Sequence, residues 1–174
     1  AYHLPNATHP DYIPLQVLDS LLGGASGLSY KTSRLYRALV DGEYAVDVSG
    51  WSESTIDPFL YRVTLTNRPR RKPEETLAAL DKEIQKLQEV LVSKDEIVRA
   101  VKQARAVFSY SSENISNQAF WMGYVEMFAS YEWFTTYLDK LAKVTPKDVQ
   151  RVAQKYLQPN SRVIGTYIPK GRGA

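Results

Sequence analysis

Tyr44-Ala45-Val46-Asp47-Val48-Ser49 and Phe59-Leu60-Tyr61-Arg62-Val63-Thr64-Leu65-Thr66 are the two runs on which the fold turns. In the first, Tyr44, Val46 and Val48 alternate with Ala45, Asp47 and Ser49. In the second, Phe59, Tyr61, Val63 and Leu65 alternate with Leu60, Arg62, Thr64 and Thr66. A period of two residues is that of a strand with one covered face. The turn-rich Ser54-Thr55-Ile56-Asp57-Pro58 separates the runs, so they should pair as an antiparallel hairpin.

Helical patterns lie on both sides of this hairpin. From Asp11, Leu15, Leu18, Leu21 and Leu22 recur at helical spacing, and Gly23-Gly24, the start of the glycine-rich stretch Gly23 to Gly27, supplies a stop. A second short helix is expected over 33–41, with Ser33 as its cap and Leu35 and Leu39 inward. Beyond the hairpin, Pro73 opens a helix whose Glu74 and Glu75 suit its positive end. Its apolar stripe is Leu77, Leu80, Ile84, Leu87 and Leu91. Ser93 and Glu96 form a capping box. The helix they open buries Ile97, Ala100, Val101, Ala104, Val107 and Phe108 and weakens in the polar run Ser109 to Asn117, after which a further helix resumes with Phe120, Trp121, Val125 and Phe128. Phe134, Tyr137, Leu138 and Leu141 mark another helix. Thr145-Pro146-Lys147-Asp148 caps a last one, with Val144 and Val149 as a hydrophobic staple. Residues 1–5 read as a strand, and Arg162 to Ile168 reads as a closing strand inside the sheet, apolar on both faces. The order is β-α-α-β-β-α-α-α-α-β. It implies one α+β domain over residues 1–174, with a largely antiparallel sheet of about four strands and helices packed on one face, a ferredoxin-like sandwich.

The chain has 174 residues, 44% of them hydrophobic and 24% charged, with a net charge of +3. That is an ordinary globular composition. It contains no apolar run of the ~20 residues a membrane-spanning helix needs. Much of the positive excess lies in Arg68-Pro69-Arg70-Arg71-Lys72, read as a solvated connection between strand and helix. Tyr44, Trp51 and Tyr61 could furnish an RNA-binding sheet, but the string that sets stacking aromatics on such sheets is missing, so nucleic acid is not an expected partner.

Chemistry is sparse. The sequence has no cysteine and two histidines, His3 and His9, with no carboxylate between them. Neither H-E-x-x-H nor H-x-x-E-H occurs, so no zinc array is expected, and without G-x-S-x-G no serine nucleophile is expected either. Gly24-Ala25-Ser26-Gly27 is only a partial likeness to that elbow. The series Phe120, Trp121, Tyr124, Phe128, Tyr131, Trp133, Phe134 and Tyr137 reads first as core and second as the lining of a peptide groove. No catalytic residue and no metal ligand is assigned.

Several segments taken together resemble one family. Asp11 to Gly24 followed by Ser33-Arg34-Leu35-Tyr36-Arg37-Ala38-Leu39-Val40 is similar to the "D-x-x-x-L-x-x-L…L-G-G…S-R-L-Y-x-x-L" opening of the second-type domain of pitrilysin–insulinase and mitochondrial-processing-peptidase relatives. Val144 to Ala153 with Tyr156-Leu157 resembles that domain's "V-T-x-x-D-V-Q-x-V-A…Y-L" helix. Ser161 to Pro169 is similar to its closing "R-x-x-G-x-x-x-P" strand. The resemblance implies a pair of similar α+β domains forming a chamber, the first holding H-x-x-E-H, its zinc and the catalytic glutamate. The second, the type seen here, closes over the peptide.

Active relatives often contribute an arginine and a tyrosine from this second domain. Alignment on Ser33 to Leu39 puts Val40 at the arginine position and the region of Val46 at the tyrosine position. Arg37 and Tyr44 are therefore the nearest stand-ins for substrate binding. The expected partners are the catalytic-type domain, as part of the same protein or as a partner subunit, and peptide substrates. The resemblance also implies a fragment lacking the N-terminal part of a family domain, with self-association expected through Tyr2 and Leu4 on an unpaired edge. An inactive structural subunit of the same family is the alternative reading.

Overall fold

The computed structural model describes residues 1–24 and 31–169. The Ala25-Ser26-Gly27 part of the glycine-rich stretch lies outside the described residues. Three strands are found among them: β1 (Tyr2–Leu4), β2 (Ala45–Ser52) and β3 (Phe59–Asn67), in the order β1-β3-β2 and wholly antiparallel. The hairpin forms as expected, with Val48 opposite Leu65 and Gly50 opposite Val63. Its alternation breaks at one point. Ala45 faces Asn67 and Asp47 faces Thr66, so Val46 is an extra, bulged residue. The bulge turns Ala45 and Val48 inward together and leaves Val46 exposed, which corrects the expected Tyr44–Val46–Val48 face.

One sheet face is covered. Tyr2, Leu4, Val48, Gly50 and Tyr61 are buried, whereas His3, Arg62, Thr64 and Thr66 are exposed. Helix α1 (Tyr12–Leu22) lies between this face and the other helices, and only Gln16 along it is not buried. A helix buried on nearly every side needs apolar residues all round, which Ile13, Leu15, Val17, Leu18, Leu21 and Leu22 provide. Where α1 ends, it crosses β2 so closely that a Cβ on Gly23 would stand 2.5 Å from the Gly50 Cα. Two glycines make that approach possible.

The segment after Ser33 winds as a π-helix over Tyr36–Asp41, with Leu35 and Leu39 fully buried. The Tyr36 N–H donates to Ser33 Oγ at 3.2 Å, as the capping reading requires. Five helices follow the hairpin rather than four: α2 (Pro73–Glu89), α3 (Lys94–Ser111), α4 (Ile115–Phe128), α5 (Tyr131–Ala142) and α6 (Pro146–Tyr156). The polar run separates α3 from the further helix expected after it, and Asn114 caps α4 afresh through the Asn117 N–H at 2.8 Å. Both expected capping boxes are present, Ser93 with Glu96 and Thr145 with Asp148. Leu91 falls beyond α2 and is exposed; in the first turn Thr76 is buried while Leu77 is only half-buried.

The expected closing strand is not formed. Arg162 bridges to Tyr2, and Ala1 and Val163 exchange backbone hydrogen bonds of 2.9 and 3.0 Å. Pairing with the start of β1 is limited to Arg162 and Val163. Val163, Ile164, Tyr167 and Ile168 are accordingly exposed, Tyr167 at 88%. The start of the tail is held instead by Arg162, which grips both carboxylate oxygens of Asp81 and donates to the Tyr2 hydroxyl at 3.2 Å. Tyr2 and Leu4, expected on an unpaired edge, are themselves buried.

Candidate functional site

Two concavities lie along the seam where α1 packs on α3, and Ser20 borders both. The larger, about 480 Å³, is a groove between α1, the end of β2 and helices α3 to α5. Its walls are aromatic. Phe120 stacks on Tyr124 with centroids 5.4 Å apart, Phe108 packs on Phe134 at 4.8 Å and on Tyr137 at 5.0 Å, and Trp121 faces Phe134 at 6.5 Å.

The polar tips of four of the groove's rings, Tyr12, Trp121, Tyr124 and Trp133, are already engaged. Trp121 donates its indole N–H to the Ser111 carbonyl at 3.0 Å, using an acceptor left free at the end of α3. Trp133 donates to the Ala7 carbonyl at 3.1 Å. Ser54, in the hairpin loop, is held twice: Tyr124 donates to its carbonyl at 3.0 Å, and its hydroxyl pairs with that of Tyr12 at 2.6 Å. Burial pushes the Tyr12 and Tyr137 phenols well above the ordinary tyrosine range, so neither is an acid or base near neutral pH. What remains is a stiff apolar surface with part of each outer ring open to solvent; Phe120 is 60% exposed. The aromatic series is therefore divided between core and groove wall. Phe128 belongs to the core, while Phe120, Trp121, Tyr124 and Phe134 line the groove.

The floor of the groove holds Gln16, Asp19 and, at its border, Ser20. These stand at i, i+3 and i+4 on α1, the same spacing at which H-x-x-E-H presents its residues. Here the set cannot bind zinc. A neutral amide and a hydroxyl replace imidazoles, Gln16 donates to Ser52 Oγ at 3.0 Å, and Ser20 donates back to the Gln16 carbonyl at 3.1 Å. Asp19 is buried toward Tyr61; burial first, and then that carboxylate, push the Tyr61 phenol far up. His3 and His9 are elsewhere, and His9 Nδ1 accepts from the Asp11 N–H at 3.0 Å. Among the described residues no group of three or more His, Cys, Asp or Glu could hold a metal ion.

The smaller cavity, about 350 Å³, is basic. Arg34, Arg37, Arg99 and Lys102 line it, against the single carboxylate of Glu96. Arg34 is committed to Glu96 at 2.7 Å. Burial would raise the Glu96 carboxyl, but the Ser93 N–H and Arg34 outweigh it and hold it below the usual range. Of the two stand-in residues, Arg37 borders this cavity, whereas Tyr44 borders neither concavity and packs under the Arg71 guanidinium, 4.8 Å from its ring centroid. The exposed run Arg68 to Lys72 forms the turn into α2, with Arg71 also bonded to the Glu43 carbonyl. The sequence pointed to Arg37 but not to Arg99 or Lys102, which read only as the polar side of α3.

Residues 1–104 match the peptidase M16 inactive domain. No curated protein matches the chain by sequence. Among solved structures, a zinc-protease candidate from Bordetella pertussis Tohama I is 26% identical with a TM-score of 0.83, over 97% of this chain and 91% of that one. The inactive peptidase domain of a zinc-protease candidate from Bordetella parapertussis is 24% identical with a TM-score of 0.87, over 99% and 90%. A protease from Helicobacter pylori is 22% identical with a TM-score of 0.82, and there the chain covers only 38% of the longer protein.

Proposed function

The chain belongs to the peptidase M16 inactive-domain family, and from that premise we propose that it forms the non-catalytic wall of a peptide-hydrolysing chamber, opposite the zinc site of a catalytic-type domain. The observation that carries this reading is the aromatic groove on a domain whose α1 array cannot bind zinc. Zinc and the water-activating glutamate reside in the catalytic-type domain; this chain contributes surface. An extended peptide would bury apolar side chains against Phe120, Trp121 and Phe134. Trp121 and Tyr124 are held by hydrogen bonds and Phe120 and Phe134 by ring stacking, so little conformational entropy is lost on binding. Arg37, which borders the neighbouring basic cavity, would touch such a peptide. Tyr44 is turned to Arg71 and would contribute only if that stack opened.

The inactive partner-subunit reading rests on a different feature, the exposed apolar side of α4. Both readings require assembly with a catalytic-type domain, and peptide binding separates them. Trp121 and Trp133 report from the groove wall, so an unstructured apolar peptide should change their fluorescence saturably. Phe120→Ala combined with Phe134→Ala should weaken binding about tenfold, in line with the loss of aromatic anchors from a pocket. Absence of saturable binding, or affinity indifferent to both substitutions, would overturn the chamber-wall reading and leave the partner-subunit one.

A further inference from the structure

We infer that the basic cavity beside the groove is a carboxylate subsite, so that the peptides this domain receives are apolar segments followed by an acidic residue or a free C-terminus. The inference rests on the peptide-binding reading of the groove. Its first support is continuity. Ser20 on α1 borders both concavities, and α3 lines the groove with Ala104, Val107 and Phe108 and the cavity with Arg99, Ala100 and Lys102. A chain lying along this seam passes from aromatic walls to cationic ones.

The second support is charge. Among the described residues, Arg37, Arg99 and Lys102 form no ion pair, and the one carboxylate in the cavity is bound to Arg34. Arg99 and Lys102 stand three residues apart on α3, where like charges repel along a helix face. With Arg37 approaching from the π-helical segment, three uncompensated cations surround one concavity. Such an arrangement raises the local positive potential and draws anions. Nothing in the packing requires it, since all three side chains are exposed and the apolar seam is closed by Leu21 and Ala100. The opening is wide enough for a side-chain carboxylate, which arginine can bind in two-point fashion. The cavity also offers polar groups at its edge, where Gln103 donates to Thr32 Oγ1 at 3.1 Å.

The test uses short N-acetylated peptides sharing one Phe- and Leu-containing segment. One ends in two Asp and is amidated, its twin ends in two Asn and is amidated, and a third ends in Asn with a free carboxylate. Titrated into the chain at low salt, the Asp peptide should bind about tenfold tighter than its Asn twin, the scale of one charge-assisted contact. The preference should shrink as salt is added. In the Arg99→Ala, Lys102→Ala double variant it should fall to near unity, and in Arg99→Glu, Lys102→Glu it should reverse. These exposed positions leave the core intact, which circular dichroism checks. A gain by the free-acid peptide alone would identify the carboxylate as a C-terminus and still support the subsite. Equal binding of all three peptides, or a preference surviving in the double variant, would overturn the subsite while leaving the groove standing. Failure of every peptide to bind would overturn the groove reading and this inference with it.

Discussion

The place where α1 crosses β2 and the outer side of α4 are both rich in apolar residues, yet they are built to opposite ends. At the crossing every atom has a neighbour. Gly23 lies on Gly50, Tyr61 and Asp19 close the space beneath, and Leu18, Leu22 and Val48 fill the flanks with no solvent exposure beyond 1%. The end of α1 nearer Asp11 is equally committed. The buried Asp11 carboxylate accepts from Arg151, from Lys155 at 2.7 Å and from the Tyr156 hydroxyl at 2.8 Å, clipping α6 to α1. Helix α4 is apolar on almost all sides, with Glu126 its only charged residue. It is not wrapped as such a helix would normally be. Ile115 and Met127 are 83% and 71% exposed, Met122 faces outward, and a Cβ on Gly123 would meet nothing within 4 Å. A crossing that tolerates no added atom holds the fold. A helix that tolerates many presents a surface.

Changing the same residue type in the two regions gives the sharpest contrast. Gly50→Ala would drive a methyl group into the Tyr61 hydroxyl and to 2.5 Å from Asp19 Oδ1. It should cost about 3 kcal/mol, the upper part of the range for overpacking a core, read as a lowered urea midpoint. An unchanged midpoint would mean that α1 and β2 can separate freely.

Next in size is Asp11→Asn. Burial alone would raise the Asp11 carboxyl, but the hydrogen bonds from Lys155, Arg151 and Tyr156 outweigh it and hold it well below the usual range. A carboxyl depressed in the folded state contributes stability above its unfolded value of about 3.9, and that contribution is lost as pH falls toward the folded value. The variant should lose about 2 kcal/mol at neutral pH; cationic partners half open to water keep the loss below that of a fully buried pair. Wild-type and variant stabilities should converge below about pH 4. Parallel curves from pH 7 to pH 3 would show that the clip carries no such charge-dependent term.

Gly123→Ala reverses the sign of the first prediction. With open space around it and a helical backbone, the added methyl group should stabilise the protein by about 0.5–1 kcal/mol, read as a raised midpoint. Destabilisation would mean that α4 is packed more closely than its surroundings indicate. The smallest effect belongs to Ile115→Lys with Met127→Lys, expected within about 0.5 kcal/mol because exposed substitutions seldom matter more. The same pair should weaken co-elution with a separately expressed catalytic-type domain if α4 is the docking side. Loss of stability instead would place α4 in the core and erase the contrast.

How much of this was legible depended on how local the signal was. The hairpin, the α1 stripe and both capping boxes follow from patterns within a few residues, and all of them form. The errors are non-local. The bulge at Val46 has no marker in an alternating run, because it is forced where β2 must meet β3 and Gly50 must sit under α1. Residues Arg162 to Ile168 have the composition of a central strand, but pairing depends on register against β1, and only Arg162 and Val163 meet it. For the site, the aromatic series was visible as a series only. Which rings turn inward, as Phe128 does, and which line a groove was fixed by α4 and α5 packing against α3.

The sequence by itself determined the α+β class, the capped starts at Ser33, Ser93 and Thr145 and the lack of an H-x-x-E-H array, since these depend on residue type, period and short-range capping. Tertiary structure alone decided that Gln16, Asp19 and Ser20 face an aromatic groove, and that Arg37 joins Arg99 and Lys102 around one cavity. The physical reason is distance along the chain. Arg37 and Arg99 belong to segments separated by the whole hairpin and α2, and only the packing of α1 against α3 closes that gap.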